Sequence, residues 1–122
     1  MFLTLPPSVR IYAALGATDL RKGFDGLSGL VSDVVGADPE SGHLFLFCNR
    51  RRTQLRVLFW DGTGLCIYAK RLARGTFELP AAGERVRSVE IDVETLQLIL
   101  AGIELDSARR RKRFRVVKKD AA

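Results

Sequence analysis

Residues 43–80 hold three consecutive runs of strand length whose connections are chemically unlike. The first run, His43-Leu44-Phe45-Leu46-Phe47-Cys48, is apolar at both parities. A strand of that composition has to be covered on both faces, so it belongs in the middle of a sheet. The next two runs alternate. Gln54 and Arg56 oppose Leu55, Val57 and Phe59, and then Leu65, Ile67 and Ala69 oppose Cys66, Tyr68 and Lys70. Asp61-Gly62-Thr63-Gly64 joins them and contains a favoured hairpin dipeptide. The connection after the first run is instead a dense positive tip, Asn49-Arg50-Arg51-Arg52-Thr53.

Helical periodicity flanks this stretch. Thr18 is the expected N-cap of a first helix, with Asp19 suited to the positive end of its dipole. Leu20, Phe24, Leu27, Val31, Val34 and Val35 form its apolar stripe, and Gly36 with Pro39 ends it. Gly23, Gly26 and Gly29 recur on a flanking face, a spacing expected from close approach of another backbone. Asp92 is placed as the N-cap of a second helix buried through Leu96, Ile99, Leu100 and Ile103. A short strand is expected over 9–14, with further edge strands over 77–80 and 85–89. The order predicts an α+β domain: an antiparallel meander sheet of about four to five strands, with two helices packed against one face. The domain is expected over 1–106, followed by a basic, flexible C-terminal tail over 107–122.

Charge divides the chain in the same place. Of the twenty Lys and Arg, eight lie in 109–122 beside one acid, Asp120, although the whole chain carries only +6. Through residue 108 acids balance bases to within one charge, so the isoelectric point near 9.9 belongs to the tail. A cationic run such as Arg109-Arg110-Arg111-Lys112-Arg113, continued by Arg115, is an interaction arm whose commonest partner is nucleic acid. Within the body, three clusters are candidate phosphate contacts: Arg21 with Lys22 at a helix start, Arg50 with Arg51 and Arg52, and Lys70 with Arg71 and Arg74. For Arg21 and Lys22 the competing reading is a salt bridge to Asp19 or Asp25. Trp60 and Tyr68 could stack on bases, but core packing is the commoner use of such residues.

Nothing points to bond chemistry, and neither a catalytic residue nor a cofactor is expected. The single histidine, His43, opens a strand. Cys48 and Cys66 lie inside strands and read as reduced core thiols; with one histidine they cannot make a four-ligand zinc site. Asp19, Asp25 and Asp61 could form a metal-binding carboxylate set only by counting, since helix start and turn explain two of them. No run of about 18 apolar residues is present to span a membrane. The N-terminus lacks the pattern of a signal peptide, so the expected compartment is cytoplasmic.

Several ordered motifs together resemble a known family. These are Thr18-Asp19-Leu20-Arg21-Lys22-Gly23-Phe24-Asp25-Gly26-Leu27, Gly42-His43-Leu44-Phe45, Phe59-Trp60-Asp61-Gly62 and Lys70-Arg71-Leu72, with Arg74-Gly75 and Phe77. Over roughly 8–105 the chain is similar to the TnpB-type accessory proteins of the insertion-sequence-66 family. The resemblance implies a non-catalytic protein needed for transposition and encoded beside a separate transposase, with DNA, that transposase or both as partners; the alternative is a protein-interaction adaptor of the transposase with little DNA binding of its own. Ala73 departs from the acid usual in the family at that place, and Leu79 from the aromatic common before Pro80. The residues do not specify an oligomeric state.

Overall fold

The computed structural model describes residues 5–105. Five strands form one sheet: β1 (Ile11–Ala17), β2 (Leu44–Cys48), β3 (Gln54–Trp60), β4 (Leu65–Arg71) and β5 (Ser88–Ile91). They lie in the order β4-β3-β2-β1-β5. Helix α1 (Gly23–Leu30) follows a 3-10 turn at Leu20–Lys22 and widens into a π-helical turn at Val31–Val35; α2 (Val93–Leu100) follows β5. The architecture is α+β.

Two expectations are corrected. The sheet is mixed, because β1 and β2 run parallel while every other neighbouring pair is antiparallel. A helix lies between β1 and β2, so the chain returns to the same end of the sheet before β2 begins, which is the crossover that parallel pairing requires. The helices also cover opposite faces. Leu27 of α1 and Val31 of the π-helical turn that continues it pack on Ala14, Phe45, Phe47 and Leu58. Leu96, Ile99 and Leu100 of α2 pack on Ile11, Ala13, Leu46 and Val57. The double-sided apolar run of β2 thereby has its physical cause: Phe45 and Phe47 serve one core, Leu44, Leu46 and Cys48 the other.

The minor elements also differ in detail. Residues 77–80 form no strand; Phe77 instead plugs the core under α2, and its N–H donates to the Arg52 carbonyl at 2.6 Å. The last strand sits at Ser88–Ile91 and pairs with β1. Asp19, not Thr18, caps the first helical turn by accepting from the Arg21 N–H, while the Thr18 N–H donates to the Cys48 carbonyl and prolongs the β1–β2 ladder. Asp92 caps α2 as expected, accepting from Thr95 N at 2.7 Å. The glycine spacing in α1 does not mark backbone approach. Gly23 makes the junction into α1 at φ 65, a Cβ at Gly26 would strike Lys22 in the preceding turn, and Gly29 faces open space.

Candidate nucleic-acid interface

Strand direction sorts the charges. β1 and β2 finish, β3 starts, β4 finishes and β5 starts at one end of the sheet. Arg21, Lys22, Arg50, Arg51, Arg52, Arg71, Arg74 and Arg87 all belong to segments at that end. The opposite end carries Asp38, Glu40, Asp61, Asp92, Glu94 and Glu90, the last paired with Arg10 at 3.1 Å. The charge of a nearly neutral body is therefore unevenly placed along its strands, with Asp19 and Glu84 standing among the cations and Arg10 among the acids. Over the seven residues of β4 the two ends lie about 20 Å apart, beyond a Debye length at physiological salt.

The cationic end is organised around the corner Thr18-Asp19, just past β1. Asp19, Arg21, Asn49, Gln54 and Arg56 line one depression there, and Arg50 meets Asp19 and Arg21 in an adjoining one. Crevices beyond the carboxyl ends of parallel strands are where open sheets commonly take ligands. Asn49 shapes this corner. Its Oδ1 accepts from the Thr53 and Gln54 N–H groups, and its amide donates to Thr53 Oγ1, closing the arginine-bearing connection on itself. Arg50 and Arg51 are left exposed. Gln54 opposite Arg71 and Arg56 opposite Ala69 share one face of the sheet there; Ala69 and Arg71 are exposed, while Gln54 and Arg56 are half-buried and Arg56 Nη1 donates to the Leu55 carbonyl at 3.1 Å. A third depression, of 340 Å³, lies across the same corner between β1, α1 and the segment before β5. Lys22 and Arg87 line it together with the acids Asp19 and Glu84 and with Phe47, Leu30 and Val34.

The expected contacts separate into two kinds. Arg21 keeps its side chain 91% exposed while its guanidinium grips Asp19 at 2.9 Å, so the salt bridge exists and still leaves the cation facing solvent. That pairing, together with the Arg21 backbone N–H, lowers the Asp19 carboxyl to about 2. Arg50, Arg51, Arg71 and Arg74 are exposed. Arg52 and Lys70 turn into the fold. Arg52 adopts φ 59 and its Nη2 donates to the Leu15 carbonyl at 2.7 Å. Lys70 Nζ donates to the Leu100 carbonyl at 2.6 Å and closes the C-terminus of α2. Arg109, Arg110, Arg111, Lys112, Arg113 and Arg115 lie outside the described residues. Arg56 joins the site although the alternation of β3 marked it only as a solvent-side residue; its one signal was a cation on a strand otherwise committed to the core.

Aromatic stacking platforms are not part of this end. Tyr68 packs against the core under α2, and Trp60 ends β3 among the acids. His43 has a structural partner, its Nδ1 accepting from the Arg10 N–H at 2.9 Å. Asp19 and Asp61 stand at opposite ends of the sheet, so they cannot share a metal ion, and no cluster of three or more metal-ligating residues occurs among the described residues. Nor is any described helix long and apolar enough to cross a membrane.

Fold and site together define a small α+β protein whose organised feature is a field of arginines at one end of a sheet. Its sequence matches the family described as "IS66 Orf2 like protein" over residues 9–112, and the chain belongs to that family. Membership carries a transposition-associated accessory role, in a family not known as catalytic. Two proteins of Sinorhizobium fredii (strain NBRC 101917 / NGR234) are similar. The "Uncharacterized protein y4hO" is 38% identical over 97 residues, 80% of this chain and 83% of its own. The "Uncharacterized protein y4jC" is 32% identical over 103 residues, 84% and 86%. No solved structure gives a significant match.

Proposed function

We propose that this chain is a non-catalytic accessory protein of insertion-sequence transposition that binds DNA by its phosphates, in the cytoplasm and alongside the transposase of the same element. The observation that carries the reading is the convergence of Arg21, Arg50 and Arg56 on the corner past β1, next to the exposed Arg71. Residues 1–106 act as one domain in this reading, and the cations of 107–122 add a second contact. Phosphate contacts position a protein without reading sequence, so the surface supports affinity rather than base recognition.

Fluorescence anisotropy against salt tests it. Replacing Arg21, Arg50 and Arg56 together by Ala should reduce the slope of log K against log salt by about 3, and ending the chain after Ala108 by about 7 if all eight tail bases meet phosphates. Binding to no DNA at any salt would sink the proposal. A second reading, a transposase adaptor with little DNA affinity of its own, is favoured by the exposure of Phe24 at 51% and Val86 at 43%. Co-purification with the transposase from nuclease-treated extract that is lost in Phe24→Ser would support that alternative.

A further inference from the structure

We propose that the corner past β1 holds one unpaired nucleotide of a DNA strand, with its base in the depression at Gln54 and its phosphate in the adjoining one at Arg50. The inference rests on the DNA-binding reading above and adds to it the form of DNA that is bound. The two depressions, of 290 and 430 Å³, share Thr18, Asp19 and Arg21 and so lie side by side. Their remaining linings differ: Leu20, Asn49, Gln54 and Arg56 belong to the first, Ala17 and Arg50 to the second. The first is near the lower limit of small-ligand sites, room for one flat ring system rather than for a larger ligand.

Gln54 is the group that suits the first depression to a base. The neighbouring side chains are engaged within the fold. Asn49 holds Thr53 and Gln54, Asp19 and Arg21 hold each other, and Arg56 Nη1 donates to the Leu55 carbonyl. Gln54 gives its N–H to Asn49 Oδ1 at 3.0 Å and its carbonyl to the Asn49 N–H at 3.1 Å, but its carboxamide has no hydrogen-bond partner among the described residues. A free carboxamide sets a donor beside an acceptor. The Watson–Crick edge of every base does the same, so this group can hold an unpaired base without selecting which one. Leu20 offers apolar cover to a face of the ring, and arginine guanidinium planes stack on bases where aromatic side chains are missing.

Shape favours an unpaired base over a paired one. Inside a duplex only the groove edges of a base are open, and in the major groove they lie about 8.5 Å below the rim. A protruding helix or ribbon reaches them; a hollow in the protein does not. An unpaired base swings out of the stack and enters such a hollow. Charge then orders the two depressions. Asp19 is paired to Arg21 at 2.9 Å, which leaves the exposed Arg50 as the excess cation of the second depression and makes that the place for the phosphate.

Fluorescence anisotropy on the full-length chain tests this with three DNA duplexes of one length: fully paired, carrying one unpaired thymine, and carrying an abasic residue in place of that thymine. The abasic duplex keeps the extra phosphate and the added flexibility, so the comparison isolates the base. The thymine bulge should bind about fivefold or more tightly than the abasic one, the effect of two neutral hydrogen bonds. Gln54→Leu, similar in size but without the amide, should bring that ratio to about one in a protein that melts with the parent; Gln54→Thr, which suits a strand, serves the same purpose if Leu disturbs folding. A preference that survives in the folded variant overturns the site. Equal, salt-dependent binding of the thymine and abasic duplexes overturns the inference and leaves the phosphate-binding reading standing, whereas binding to none of the three removes both. A matching RNA bulge bound more tightly than the DNA overturns the choice of DNA.

Discussion

Arg50 and Arg52 are two residues apart in one cationic tip, and their replacement should have opposite consequences. Arg52→Ala removes the Nη2 donor from the part-buried Leu15 carbonyl. A hydrogen bond from a charged group contributes about 1.5–3 kcal/mol. For a body of this size each kcal/mol moves the midpoint about 4–8 °C, so Tm should fall by about 6–24 °C. The φ of 59 is shared by Arg and Ala, so backbone strain does not offset the loss. Because the guanidinium already faces inward, the salt slope of DNA binding should stay within experimental error. Arg50→Ala should do the reverse: stability unchanged to within about 0.5 kcal/mol, and the slope smaller by about 0.9. Arg52→Lys separates charge from geometry. It keeps the cation but lacks the planar fork, so it should recover only part of the lost stability. Thermal melts by circular dichroism and anisotropy titrations at several salt concentrations decide the matter. An Arg52→Ala protein that melts with the parent and loses as much slope as Arg50→Ala would refute the assignment of inward and outward arginines.

Three further outcomes are expected. Lys70→Met should lower stability by about 1.5–3 kcal/mol in a denaturant titration, since the Leu100 carbonyl loses a charged donor, with no change in DNA salt slope. Asp92→Ala should cost about 1 kcal/mol by uncapping α2, while Asp92→Asn should retain most of it. Asp61 and Asp19 both titrate near 2 in the folded chain, below the ordinary 3.8, so their stabilisation is complete above about pH 4–5 and is lost as pH falls toward 2. Asp61→Asn keeps an acceptor for the turn and should flatten that acid limb in a pH series of melts; an unchanged acid limb would count against the turn's hold on the carboxylate.

Local signals carried much of the fold. The two-sided run of β2, the alternation of β3 and β4, the Asp61-Gly62 turn and the Asp92 cap are each readable because side-chain period and turn chemistry act over a few residues. The family was legible for a related reason: its motifs lie in unbroken order along 9–112. The direction of β2 relative to β1 was not read correctly, although the intervening helix implied it, because the hairpins on its other side suggested a meander throughout. The opposite placement of α1 and α2 was likewise encoded in Phe45 and Phe47 against Leu44 and Leu46, but only pairing partners tell two apolar faces apart.

For the candidate site the division is sharper. Residue identity and order are enough to establish which residues are cationic, that the net excess lies in 109–122, and which family the motifs belong to. Only the tertiary structure decided how the body's near-neutral charge is arranged. Strand directions collect arginines from five segments at one end, with Asp19 and Glu84 among them, and place a group of acids at the other, an arrangement that depends on topology and not on spacing. Only the structure distinguished Arg52 and Lys70, drawn inward by the Leu15 and Leu100 carbonyls, from Arg21, Arg50 and Arg71, which stay in solvent. The physical reason is that a backbone carbonyl left without a partner at the end of a strand or helix recruits whichever long cation can reach it, and reach is a distance between segments far apart in the chain.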